Sequence, residues 1–229
     1  MKNFSFSNLS LEDLESIVKL ENSFQLEKFS NWFQSYQKSD ISKSDLEFLQ
    51  GIYSKYGEDS YGSLLQDYSE ETLKAKFIIP ILNRVDFFLP KYQISDFYDE
   101  KLEYSTDSFS LSGFCDFYVA KGLEKPKYPY FFIQEFKKNT SYHNVKAQLL
   151  SEMVAGLEIS QMEEIKGAYI IGSIWNFVIL WKERDIYRYV ISPNFDSTKF
   201  GDLKQIFLNL LSIKREIINL VKEKEDEKI

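Results

Sequence analysis

The sequence predicts an α/β domain with a mixed central sheet flanked by helices, plus a helical N-terminal extension. Three observations lead there. Apolar residues recur at helical spacing up to about residue 84, the period turns toward two from Phe97 to Lys138, and helical and strand patterns then alternate to a closing helix. Of 229 residues, 44% are apolar and 17% aromatic, ample for a packed core, and nine glycines and five prolines leave little material for long loops.

Ser10-Leu-Glu-Asp13 has the form of a capping box. Behind it Leu14, Ile17, Val18 and Leu20, then Phe24, Phe29, Trp32 and Phe33, predict two helices or one bent helix. Leu46, Phe48, Leu49, Ile52 and Tyr53 predict another over 43–56. Residues 1–68 therefore read as a helical extension whose aromatic side chains serve as core, and 69–229 as the main domain. Ser69 opens an amphipathic helix over 69–84 with acids in its first turn and an apolar stripe at Phe77, Ile78, Ile81 and Leu82. Pro80 would kink that helix or sit where a neighbour replaces the missing bond. Strands are predicted over 97–104, 109–120 and 128–138, with a turn at 122–129. A helix over 142–159 follows, then strands over 167–173, 174–181 and 187–191, and a helix over 200–223. Trp175 and Trp181 fall on predicted core strands.

The single cysteine, Cys115, excludes an internal disulfide, and the single histidine, His143, excludes a histidine-built zinc site. His143 reads as a surface or capping residue. No apolar run is long enough to span a bilayer and the first residues lack the apolar core of a secretion signal, so the expected address is a reducing cytoplasm with no membrane partner. A net charge of −7 and a pI near 5.0 argue against a wholly nucleic-acid-attracting surface. The positive charge is local: residues 1–70 hold six lysines against twelve acids, whereas 116–148 hold six against three.

That basic segment carries the chemistry. If the strands over 109–120 and 128–138 form an antiparallel hairpin turning between Lys125 and Pro126, residues whose numbers sum to 251 face one another, and Asp116 lies opposite Glu135. Lys137, two positions on, shares the face of Glu135. Two carboxylates about 4 Å apart repel by ~4 kcal/mol at an effective dielectric near 20. Lys137 can neutralise one of them, whereas a divalent cation can neutralise both. A buried cross-strand salt bridge with no catalytic meaning is the plainer alternative.

Gly113-x-x-Asp116, followed by an apolar strand ending Glu135-Phe-Lys137, resembles the signature of the PD-(D/E)XK nuclease superfamily, the restriction-endonuclease-like fold. Ser69-Glu-Glu-Thr-Leu-Lys-Ala-Lys-Phe-Ile78 resembles the preceding helix in related bacterial proteins and puts Glu70 at its acidic position, with Glu71 as close competitor. Ala147-Gln-Leu-Leu-Ser-Glu-Met153 supplies Gln148 on the following helix, with Glu152 one turn later. The segment over 166–180 resembles the next strand pair in a bacterial branch of the superfamily, and the likeness runs from about 69 to 220. The proline of the superfamily's name is replaced by Cys115.

The resemblance implies a restriction-endonuclease-like core and a metal-dependent nuclease that hydrolyses phosphodiester bonds, with DNA the expected substrate. It implies magnesium, with manganese as substitute, held by Asp116, Glu135, the Phe136 carbonyl and Glu70. Lys137 would manage the attacking water and Gln148 would position a phosphate or the water network. Lys138 and Lys146 would contact phosphates. The competing expectation is a catalytically silent protein of the same fold that binds a protein or nucleic-acid partner, with the acidic N-terminal helices open to a protein partner or a second copy.

Overall fold

The computed structural model describes residues 2–34, 41–137 and 142–226. Its frame is one mixed sheet whose principal strands run β3-β4-β5-β6-β7-β8. β3 (Ile94–Ser105), β4 (Phe109–Lys121) and β5 (Lys127–Lys137) form an antiparallel meander. β6 (Glu164–Ile171) lies parallel to β5, and the crossover between them is the helix α7 (Tyr142–Ser160). β7 (Ile174–Glu183) and β8 (Ile186–Ile191) continue antiparallel. The turn from β6 to β7 uses Gly172 at φ +59°, a left-handed conformation that costs glycine least.

Two further strands come from the segment expected to be helical. β1 (Lys2–Ser5) pairs parallel with the start of β4, and β2 (Lys19–Asn22) pairs parallel with β8. The helical reading of 1–68 is thus corrected: α1 (Leu11–Ile17) ends where the chain turns extended at Val18, and α2 (Lys28–Gln34) begins only after β2. The four-residue strands KNFS and KLEN are largely solvent-facing, and their partners lie far along the chain, so no local apolar alternation announces them. The capping box at Ser10 is present, with the Ser10 hydroxyl accepting from Asp13 N–H at 3.1 Å and Asp13 accepting from Ser10 N–H at 3.0 Å. α3 (Lys43–Tyr56) and the closing α8 (Phe200–Asp226) form as their apolar spacing predicts.

The sheet is apolar on both faces. Along β7, Trp175, Phe177, Ile179 and Trp181 enter one core, and Val178 and Leu180 the other. The first core holds Phe29 and Trp32 of α2, Leu49 of α3 and Leu203, Phe207 and Leu210 of α8. The second is closed by Leu14 of α1 and by Val145, Leu149, Met153 and Leu157 of α7. The N-terminal segment therefore contributes to the same two cores as the rest of the chain. Trp32 seals its place by donating its indole N–H to the Asn209 carbonyl at 2.9 Å.

The helix that opens the main domain is built in two parts. α4 (Leu64–Asp67) precedes it, and Ser69 caps α5 (Glu70–Leu73) by accepting from Thr72 N–H at 3.2 Å. One π-helical turn, Lys74–Ile78, then leads into α6 (Ile79–Val85). Pro80 sits in the first turn of α6, directly behind the widened turn, where its missing N–H is accommodated.

Candidate active site

β4 and β5 meet in the register expected from the sequence. Phe117 pairs with Gln134, Tyr118 with Ile133 and Val119 with Phe132, all summing to 251, before bulges shift the register near the turn. Beyond the pair of Phe117 and Gln134 stand Asp116 on β4 and Glu135 on β5. Their carboxyl groups are neighbours: Asp116 Oδ2 accepts the Phe136 backbone N–H at 2.8 Å, and its charge acts directly on Glu135. Gly113 of the Gly-x-x-Asp stretch has a packing reason. A Cβ there would stand 2.8 Å from Cδ2 of Phe6, which follows β1 and is wholly buried.

The remaining polar groups arrive from β5 and two helices. Lys137 Nζ lies 2.8 Å from Glu135 Oε1 and 3.7 Å from Glu70 Oε1. Lys74, at the start of the π-helical turn, donates to Asp116 Oδ1 at 2.6 Å, stands 3.2 Å from Glu70 Oε1 and lies over the Phe136 ring. Glu70 thus holds both ammonium groups, Lys74 caps Asp116, and Lys137 pairs with Glu135. Glu71 turns instead to its own helix start, where backbone N–H and Ser69 hold its carboxyl below the usual range. That resolves the choice between Glu70 and Glu71 as the acid facing the site.

Behind Glu135 lies a second buried acid. Glu152 of α7 accepts from Gln148 Nε2 at 3.1 Å, and Glu135 is its strongest charged neighbour. Gln148 therefore reaches the cluster through Glu152. Glu135 Oε1 pairs with Lys137, and among the described residues no aligned donor reaches Glu135 Oε2 or Glu152 Oε2. Burial pushes the Glu135 pKa well above the carboxylate range, Asp116 adds to the rise, and Lys137 only partly opposes it. Burial likewise raises Glu152, reinforced by Glu135. The adjacent Cys115 thiol is raised by burial and then by Glu152, so it is no ready nucleophile. Burial alone would lower Lys137 and Lys74, but the surrounding carboxylates outweigh it and hold both above the ordinary lysine value.

Fully ionised, Glu70, Asp116, Glu135 and Glu152 carry four negative charges against the two positive charges of Lys74 and Lys137. Among the described residues that leaves a surplus of two negative charges, which protons or a cation would balance. Among the described residues no three acidic, cysteine or histidine side chains converge as a ready metal cage. The donor set nonetheless suits a hard cation in kind, with oxygen ligands on adjacent strands. As arranged, the Lys74 ammonium holds the Asp116 oxygen such a cation would use.

The expected phosphate contacts fare differently. Lys138 lies outside the described residues, as does the side chain of His143. Lys146 is directed onto the Tyr189 ring of β8, 4.8 Å from its centroid and three strands from β5, so its assignment beside the site is corrected: its helix position places it over the far part of the sheet. Lys121, in the same lysine-rich segment, donates to the Tyr92 carbonyl at 2.8 Å. One residue escaped the sequence reading, and another was named there without a role. Lys74 left only an i,i+4 relation to Glu70, and Glu152 stood one turn beyond Gln148. A cleft of about 450 Å³ lies beside Trp32, Lys166 and Glu216, away from this cluster, and there Lys166 pairs with Glu216 at 2.6 Å and with Glu164 at 3.2 Å. Among the described residues, no helix is long and apolar enough to cross a membrane. Comparison of the chain with protein-family models and with curated proteins finds no match.

Proposed function

We propose that this protein is a metal-dependent phosphodiester hydrolase acting on nucleic acid, with DNA as the expected substrate, on a restriction-endonuclease-like core. One observation carries the reading: Asp116 acts on Glu135 from the adjoining strand, Lys137 Nζ lies 2.8 Å from Glu135 Oε1, and the Glu135 carboxyl is buried. The order of helix, three-stranded meander, crossover helix and parallel strand supports it.

Asp116 and Glu135, with the Phe136 carbonyl, would hold the magnesium or manganese ion. When bound, such an ion polarises a phosphate oxygen and lowers the pKa of an attached water. Lys137, fixed between Glu135 and Glu70, orients the attacking water and balances the negative charge growing on the phosphate. Its pKa, raised above the ordinary lysine value, suits a donor and charge stabiliser better than a free base. Glu70 serves as anchor for the two ammonium groups. Gln148 and Glu152 fix the inner wall, and water oxygen replaces the leaving alkoxide on phosphorus.

The test is cleavage of linear duplex, circular duplex and single-stranded DNA and of RNA, with Mg2+, Mn2+ or EDTA, by wild type and Glu135→Ala. Cleavage should require the cation and fall at least about a hundredfold in Glu135→Ala. That variant should stay folded, because it removes a buried, poorly satisfied charge. Cleavage by purified Glu135→Ala at the wild-type rate would overturn the assignment. One observation favours a second reading, a silent interaction protein of this fold: Lys74 already neutralises Asp116. Failure to cut any of the four substrates would favour it.

A further inference from the structure

We propose that Lys74 is a built-in counter-ion that occupies the cation position on Asp116 and yields it to the divalent cation. The proposal rests on the metal-dependent reading above, and goes beyond it by giving a task to a residue outside the Asp, Glu-x-Lys pattern. The geometry is that of a stand-in. Of the Asp116 oxygens, Oδ2 is tied to the Phe136 N–H, so the other is the one open to a cation, and the Lys74 ammonium sits on it at 2.6 Å.

Lys74 also has somewhere to go. Glu70 Oε1 stands 3.2 Å from its ammonium, so release from Asp116 leaves it paired with Glu70, on the same helix one turn earlier. The side chain is about four-fifths covered, at 18% exposure, so the ammonium needs a carboxylate partner in either position. Glu70 also reaches Lys137, which keeps the two lysines in one network. The exchange would keep the carboxylates at the sheet centre compensated when no metal is present.

Competition sets the sign of the test. Removing the ammonium removes both an occupant of the Asp116 oxygen and a positive charge that repels a dication, so Lys74→Met should bind Mn2+ at least about tenfold more tightly than wild type. Lys74→Arg, which keeps the charge, should show no such gain, and Glu135→Ala should lose binding. The measurement is calorimetric titration of Mn2+ into each EDTA-stripped protein, with thermal melts to establish folding and Lys74→Gln as the second neutral variant. In wild type, acetylation of Lys74 by an amine-reactive ester, read by mass spectrometry, should rise when Mn2+ is added, which tests the release without any substitution.

Tight binding by Lys74→Met where wild type binds weakly or not at all supports the proposal. Wild-type binding with equal or weaker binding in the neutral variants, or Lys74 acetylation unchanged by bound Mn2+, overturns it and leaves the metal reading standing. Absence of Mn2+ binding in wild type and both neutral variants overturns both.

Discussion

Replacing Glu152 with glutamine keeps the shape of the side chain and its acceptance from Gln148, and removes only the ability to ionise. Wild-type Glu152 is wholly buried, one oxygen lacks a donor, and its carboxyl is raised by burial and by Glu135. The folded protein therefore keeps a proton that the unfolded chain releases above about pH 4.5, the ordinary glutamate range. The sign follows: with more protons on the native state, stability is greatest below that pH and declines as pH rises toward the raised native value. Each such proton contributes a slope of about 1.4 kcal/mol per pH unit while the native state alone holds it. For a chain of this size each kcal/mol moves the melting temperature by about 2–4 °C, so each pH unit in that range lowers the wild-type melting temperature by about 3–6 °C. Thermal melts in EDTA across that range should show the wild-type curve descending and the Glu152→Gln curve flatter and higher at pH 8. Parallel curves would refute the claim that Glu152 is a proton-holding group, and a steeper fall in the variant would reverse its sign.

Gly167→Ala should cost about 1–3 kcal/mol in denaturant unfolding, because the new methyl would meet the Ile133 carbonyl at 2.9 Å and Met153 Sδ at 2.8 Å, and a backbone atom cannot step aside. Phe6→Ala should cost about 3–5 kcal/mol, and should make Gly113→Ala tolerable, since the Phe6 ring fills the space beside Gly113. Additive losses in the double variant would refute that coupling. Glu135→Ala should melt no lower than wild type at pH 8.

The site was legible where local rules govern it. The hairpin register next to the site is the one expected from a period of two, although Ala120 with Tyr130 and Lys121 with Lys127 pair in other registers and two shifts near the turn make up the difference. The helix start at Ser69 followed from its cap and acidic first turn, whereas the choice of Glu70 over Glu71 came from the superfamily resemblance. What escaped depends on distant pairing or on direction. β1 and β2 have too few residues, largely solvent-facing, to show alternation, and each adds to a strand over a hundred residues away. Lys146 belongs to the right helix, but a lysine's reach is decided by the aromatic ring it finds, here Tyr189. Lys74 looked like one more helix-surface lysine until the π-helical turn and β4 brought Asp116 against it.

The placement of β2 has a consequence for synthesis. Residues 19–22 dock on 186–189, so this strand leaves the ribosome some 167 positions before its partner. At ~5–20 residues per second the wait is on the order of ten to thirty seconds. During it, Leu20 and the apolar faces of α1 and α2 have no finished sheet to cover, which makes the nascent N-terminal segment a natural client for a holding chaperone. Synonymous changes that slow translation between α3 and β8 should therefore lower the yield of folded protein more than the same delays placed within α8.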